Sequence, residues 1–195
     1  MRGKSSDFFA ALLSGANATQ PDLALRLIDQ IIPRDPTIAA QEVRDQAKKI
    51  GLKLIPFDIV KYAAAVGLYI SYEALEDDIS GYIEQRADGW VLAVCQFDTD
   101  TRKRFTIAHE LGHIILHRKF LEHNDRYKEK ILYRTTLIDR IESEANDFAA
   151  ALLMPEDEFK VEYKKGPIES VATYFNVSTQ AVRLRAYKLR LASSF

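Results

Sequence analysis

The stretch RKRFTIAHELGHIILHRKF, residues 102–120, sets three histidines, His109, His113 and His117, at intervals of four. If the segment is helical, that interval lines them along one side of the helix, one turn apart. The chain has four histidines in all, and every one falls between positions 109 and 123. Within the stretch, HELGH at 109–113 carries the spacing of an HExxH helix. There, two histidines one turn apart offer ring nitrogens to a single zinc ion, and the glutamate after the first stands beside the water to be activated. The expected roles are His109 and His113 as metal ligands and Glu110 as general base.

Placed at 100 degrees per residue, Phe105, Gly112 and Leu116 fall on one side of this helix and Ile107, Leu111, Ile114 and Ile115 on the other. A helix apolar nearly all round belongs in a core. Buried there, a carboxylate and several imidazoles each cost a few kcal/mol unless compensated, and a divalent cation would compensate them. The plain alternative is that the histidines are core residues satisfied by backbone or carboxylate partners; the clustering favours the metal. For His117, one turn further along an apolar face, packing or hydrogen bonding is the stronger reading.

A catalytic zinc held by two histidines needs a third protein ligand and an open position. The segment IESEANDFAAALLMP, residues 141–155, reads as a helix with a core stripe of Ile141, Ala145, Phe148, Ala149 and Leu152. Glu142 lies about 65 degrees from the centre of that stripe and Glu144 about 95 degrees away on the other flank. Glu142 is therefore the expected ligand and Glu144 the solvated one. Asn146, one turn after Glu142, is placed to hydrogen-bond a ligand histidine.

The chain around these segments has 195 residues, 47% hydrophobic, with 27 basic and 28 acidic side chains and a formal net charge of -1. That excludes a disordered polyelectrolyte, and no apolar run of about 20 residues is present to span a bilayer. Cys95 is the only cysteine, so an intrachain disulfide and a thiolate-rich metal site are both ruled out. The opening MRGKSSDFFAALLSGANA imitates a signal peptide loosely, but Asp7 interrupts it and its apolar run is shorter than the usual 7 to 15 residues or so. A cytoplasmic protein is expected.

Two helices are expected between residues 21 and 51, split around PRDP at 33–36. LKLI (52–55), GLYISYEAL (67–75), ISGYIEQ (79–85) and GWVLAVCQF (89–97) read as β-rich, with a helix over 57–66 between the first two. ISGYIEQRADGWVLAVCQF reads as a hairpin turned by Asp88-Gly89, and its second arm, residues 90–97, as an edge to which an extended substrate could pair. The expected class is α+β: mostly helical, with a small antiparallel sheet beside the HExxH helix. The expected units are an N-terminal helical extension (1–40), a zinc-peptidase-like domain (41–160) and a C-terminal helix-turn-helix-like segment (161–195).

RFTIAHELGHIILH (104–117) followed by ESEANDFAAALLMP (142–155) closely resembles the ImmA/IrrE family of metallo-endopeptidases. The likeness runs from about residue 41 to 191, taking in GLKLIPFDIVKYAAAVGLYISY (51–72) and SVATYFNVSTQAVRLRAYKL (170–189). The first 40 residues match nothing in it. The resemblance implies an HExxH zinc site completed by a glutamate in an ExxAN setting, which maps onto His109, His113 and Glu142 with Glu110 catalytic. That agrees with the choice made on the helical wheel. It further implies a cytoplasmic bacterial or mobile-element protein; the expected ion is zinc, with manganese open beside it because geometry and metal supply jointly decide. The protein substrate it implies is a helix-turn-helix repressor of the Xre type, cleaved after DNA damage or another stress. Other relatives stand beside Xre-type regulators in toxin–antitoxin-like or phage-defence arrangements, with little or no proteolysis.

A competing signal lies in PIESVATYFNVSTQAVRLRAYKLRL, residues 167–191, which reads as two helices around Asn176-Val177, the second capped by Ser178. Arg183, Arg185, Lys188 and Arg190 against Glu169 give residues 166–195 a charge of +3, which would suit a recognition helix on phosphates. The stronger reading is a solvated helical face, with direct DNA binding second to it. Donors to an oxyanion stay open among His117, Tyr133 and Arg104.

Overall fold

A computed structural model describes residues 35–193, apart from 77, 87–88 and 124–135. The first of the two expected N-terminal helices lies outside the described residues. The second is α1 (Pro36–Lys49), and its start is chemically specified. Asp35 accepts hydrogen bonds from the Thr37 and Ile38 backbone N–H groups at 2.8 and 3.1 Å, and Pro36 occupies the first turn, where no donor is needed.

LKLI does not form a strand: only an isolated bridge joins Leu54 to Phe57. The carbonyl of Leu54, and that of Phe57 just beyond the segment, serve arginines instead. Arg44 Nη1 donates to Leu54 O at 3.2 Å, and Arg104 Nη2 to Phe57 O at 2.9 Å. Helix α2 (Ile59–Ala65) follows, with the Asp58 carboxylate capping Lys61 N.

Three strands come next, β1 (Tyr69–Glu73), β2 (Gly81–Arg86) and β3 (Gly89–Cys95), in the order β1-β3-β2. β2 and β3 form the expected hairpin, with Arg86 opposite Gly89; Asp88 of the expected turn lies outside the described residues. β1 pairs with β3 in parallel, Tyr69 opposite Val91, so the sheet is mixed rather than wholly antiparallel. This overturns the expectation of residues 90–97 as a free edge. β3 is the central strand, buried from Trp90 to Cys95, and the edges are β1 and β2. Gly81, where β2 begins, has no room for a side chain. A Cβ there would lie 2.5 Å from Thr106 Cγ2 and 2.6 Å from Ala93 O, so β2 lies directly against the HExxH segment.

That segment is one long helix, α3 (Asp100–His123). Thr99 Oγ1 accepts from Arg102 N at 3.3 Å at its start, and Asp100 places a negative charge at the positive end of the helix dipole. As the wheel implied, it is buried almost all round: Ile107, Ala108, Leu111, Ile114 and Ile115 are within 5% of complete burial. It packs against α4 (Thr136–Leu153), which also packs on α1.

The C-terminal carbonyls of α4 would be orphaned in the core. Arg44 Nη1 takes Leu152 O at 3.1 Å and Arg185 Nε takes Met154 O at 3.1 Å, and two cations at a helix C-terminus also suit its dipole. Burial lowers the pKa of both guanidiniums, with Glu158 opposing it at Arg44 and Glu156 and Asp147 at Arg185. After α5 (Glu156–Tyr163), the chain ends in α6 (Ile168–Phe175) and α7 (Thr179–Lys188). Asn176 turns between them with φ 53°, and Ser178 Oγ caps Ala181 N at 3.1 Å, as the sequence implied. Val171, Phe175, Val177, Val182 and Ala186 join the same core as α1 and α3. The α+β class therefore stands, with seven helices and one three-stranded sheet among the described residues.

Candidate metal centre

Helices α3 and α4 bring the three expected ligands together. His109 Nε2 and His113 Nε2 lie 2.9 Å apart; Glu142 Oε2 is 3.2 Å from the former and Glu142 Oε1 is 3.5 Å from the latter. His113 is fully buried, while His109 is 14% and Glu142 32% exposed, so the group is closed on the core side and open on the other. Glu110 is buried at 3% exposure, one position along α3 from His109.

Hydrogen bonds to the outer ring nitrogens decide what the inner ones present. His109 Nδ1 lies 3.1 Å from Asn146 Oδ1, an acceptor, so His109 carries its proton on Nδ1 and leaves a lone pair on Nε2. This is the partnership expected of Asn146. His113 Nδ1 lies 3.3 Å from His117 Nδ1, and His117 Nε2 lies 2.9 Å from Glu144 Oε2. A carboxylate accepts, so His117 donates from Nε2. His113 Nδ1 is within hydrogen-bond reach of His117 Nδ1, and a proton carried by His113 on that nitrogen leaves its Nε2 unprotonated.

Two imidazole lone pairs and a carboxylate thus face one another across 2.9–3.5 Å. Acceptors repel at that distance unless a cation lies between them. Ligand atoms about 2.0 to 2.2 Å from a tetrahedral zinc stand about 3.3 Å from one another, so this donor set fits the ion on both charge and spacing.

Glu144 is not the solvated residue expected. A wheel drawn for α4 alone shows only its flank, whereas His117 of α3 reaches that flank. Partial burial raises the Glu144 carboxyl, but hydrogen bonds from His117 and from Arg140 Nε at 2.7 Å outweigh it and hold the group below the usual carboxylate range. The other open questions of the sequence divide. His117 is taken up with Glu144, and Arg104 donates to Phe57 O and Asn176 O, so both have structural partners. Tyr133 lies outside the described residues. Of the cations assigned to a recognition helix, Arg185 is buried at 6% exposure and Lys188 pairs with Asp147, leaving Arg183 and Arg190 exposed.

A cleft of about 650 Å³ adjoins the group, lined by Glu142, Asn146 and Phe105 and, from α7, by Ala181 and Leu184. That α7 forms part of its wall is not legible in the sequence, because nothing local in either segment encodes their contact.

Residues 63–187 match the family model described as the IrrE N-terminal-like domain. That is well over half of the chain, and the protein belongs to the ImmA/IrrE family of metallopeptidases. No curated protein matches it significantly. Among solved structures it is similar to a Mycobacterium tuberculosis transcriptional regulator, at 16% identity and a TM-score of 0.46. The match covers 92% of this chain and 49% of that one, so the chain spans about half the regulator's length. Among the described residues no helix is long and apolar enough to cross a membrane.

Proposed function

We propose that this protein is a zinc-dependent endopeptidase with His109, His113 and Glu142 as metal ligands and Glu110 as the catalytic acid–base. Its substrate on this reading is a cytoplasmic helix-turn-helix repressor or antitoxin of the Xre type. The observation that carries the reading is the convergence of His109 Nε2, His113 Nε2 and the Glu142 carboxylate, with the outer ring nitrogens against Asn146 and His117. The family supports a protein as substrate; the repressor class rests on the resemblance of 104–117 and 142–155.

A divalent cation, when bound there, supplies a Lewis acid that activates water and polarises a carbonyl. The protein's own part is orientation and proton transfer. Asn146 fixes His109, and α4 presents Glu142 from the solvent-facing side. Glu110 holds at its carboxylate the proton taken from water and returns it to the leaving amine. Burial of Glu110 limits competing water. Residues 41–160 are read as the unit carrying the metal and 161–195 as closing one side of the cleft. Manganese could occupy an N2O donor set of this kind, but two imidazoles favour zinc.

The test is elemental analysis beside a cleavage assay on an Xre-type repressor. One zinc per chain is expected in the wild type and in Glu110→Gln, and none in His113→Ala or Glu142→Ala. Cleavage is expected in the wild type alone. A Glu110→Gln protein that cleaves at the wild-type rate would remove the peptidase assignment, and capture of the repressor without cleavage would favour a regulatory partner.

A further inference from the structure

We propose that His117, anchored by Glu144 and through it by Arg140, is a positioning residue that locks His113 in the tautomer able to bind metal. This rests on the metal-site reading above and extends it to residues outside the triad. His113 is completely buried, so no bulk water is available to satisfy or exchange its Nδ1 proton. Its ring must find an acceptor within the protein, and His117 Nδ1 stands 3.3 Å away. A histidine is ambiguous as an acceptor, because either of its nitrogens can carry the proton.

The ambiguity is removed one step outward. Glu144 Oε2 stands 2.9 Å from His117 Nε2 and accepts a proton carried there, and Arg140 Nε donates to the other oxygen, Oε1, at 2.7 Å. Polarity then runs in a single direction. Arg140 donates to Glu144, His117 donates to Glu144, and His113 donates to His117, leaving His113 Nε2 unprotonated where it meets His109 and Glu142. The two flanking glutamates of ESEAN therefore have different tasks: Glu142 faces the ion, and Glu144, on the other side of α4, sets the tautomer of the ligand opposite. Without His117, the buried His113 would lose its acceptor, and the Nε2–H form, which cannot bind a metal, would gain ground.

The experiment measures zinc affinity by competition with a chromophoric chelator, together with ring-nitrogen NMR of the metal-free protein. Wild-type His113 should show a protonated Nδ1 and an unprotonated Nε2. His117→Leu should weaken zinc binding by about 10- to 100-fold, the range for loss of a partner to a ligand histidine, and should shift His113 toward the Nε2–H form. His117→Gln, whose amide can accept from His113 and donate to Glu144, should stay within about threefold of wild type by the same comparison. Glu144→Ala, at a partly exposed position that leaves the core intact, should weaken binding in the same direction as His117→Leu.

If His117→Leu and Glu144→Ala bind zinc as tightly as wild type while His113→Ala does not, the relay is wrong and the metal site stands. If His117→Leu and His117→Gln lose affinity equally, His117 acts through packing alone and the proposal fails. If wild type binds zinc no better than His113→Ala, the metal-site reading itself falls and the relay with it.

Discussion

Gly112 faces Phe148 so closely that a Cβ placed on the glycine would stand 3.0 Å from Phe148 Cδ1 and 3.4 Å from Ala145 Cα. The glycine of HELGH therefore sets how near α4 comes to α3, and with it how far Glu142 must reach. In Gly112→Ala the gain in helix propensity, up to about 1 kcal/mol, opposes an overpacking cost of about 1 to 3 kcal/mol. Phe148 is fully buried and Ala145 contributes backbone, so neither yields easily. A net loss of about 1 kcal/mol is expected from those two ranges. Denaturant unfolding checks it, and the Phe148→Leu double mutant should be less destabilised than the sum of the singles. Simple additivity would show that the two residues are not in conflict.

Metal removal should be visible in stability before any substrate is known. An ion that binds the folded chain alone at 100 times its dissociation constant adds about 2.7 kcal/mol. In a chain of this size that corresponds to a rise of roughly 5 to 10 °C in Tm. Wild type should lose this increment on treatment with a chelator, and His113→Ala and Glu142→Ala should melt at one temperature with or without zinc. A chelator effect that persists in His113→Ala would place the ion elsewhere.

The histidine spacing and the apolar girdle of α3 were legible because both are properties of one helix. So was Glu142, since the stripe of α4 fixes which flank it occupies. Three things were not. Glu144 pairs with His117 across two helices, which a wheel drawn for one cannot show. β3 looks like an outer arm of a hairpin, and only β1, which precedes that hairpin and pairs with β3 in parallel, makes it central. LKLI has the composition of a strand, yet its Leu54 carbonyl is taken by the side chain of Arg44, and the Phe57 carbonyl just beyond it by Arg104. Each miss is a long-range pairing that overrides a local pattern.

The basic residues of α7 should separate by burial. Arg185 ties its Nε to the end of α4 and is 6% exposed, whereas Arg183 points to solvent. Arg185→Ala removes packing and strands the Met154 carbonyl, at a cost of about 2 kcal/mol. Arg183→Ala should stay within about 0.5 kcal/mol of wild type. Thermal unfolding of the two variants decides between them. Equal and negligible effects would free Arg185 for a role on the surface, and the recognition-helix reading would return.

The cleft makes a prediction about turnover rather than stability. Leu184 is 40% exposed and lines the cleft from α7, a helix that carries none of the three ligand residues. An apolar contact between such a side chain and a bound polypeptide takes no part in bond breaking and is the same in the ground and transition states. Losing such a contact raises KM and leaves kcat alone. Leu184→Glu, exposed enough to spare the fold, should therefore raise KM for a protein substrate by about 10-fold, the equivalent of roughly 1.4 kcal/mol of apolar contact. The kcat should not change, and a short peptide that spans only the metal should be cleaved as by wild type. If the protein substrate too is cleaved with an unaltered KM, the polypeptide leaves the metal by another route, and β2, the sheet edge lying against α3, is the next surface to alter.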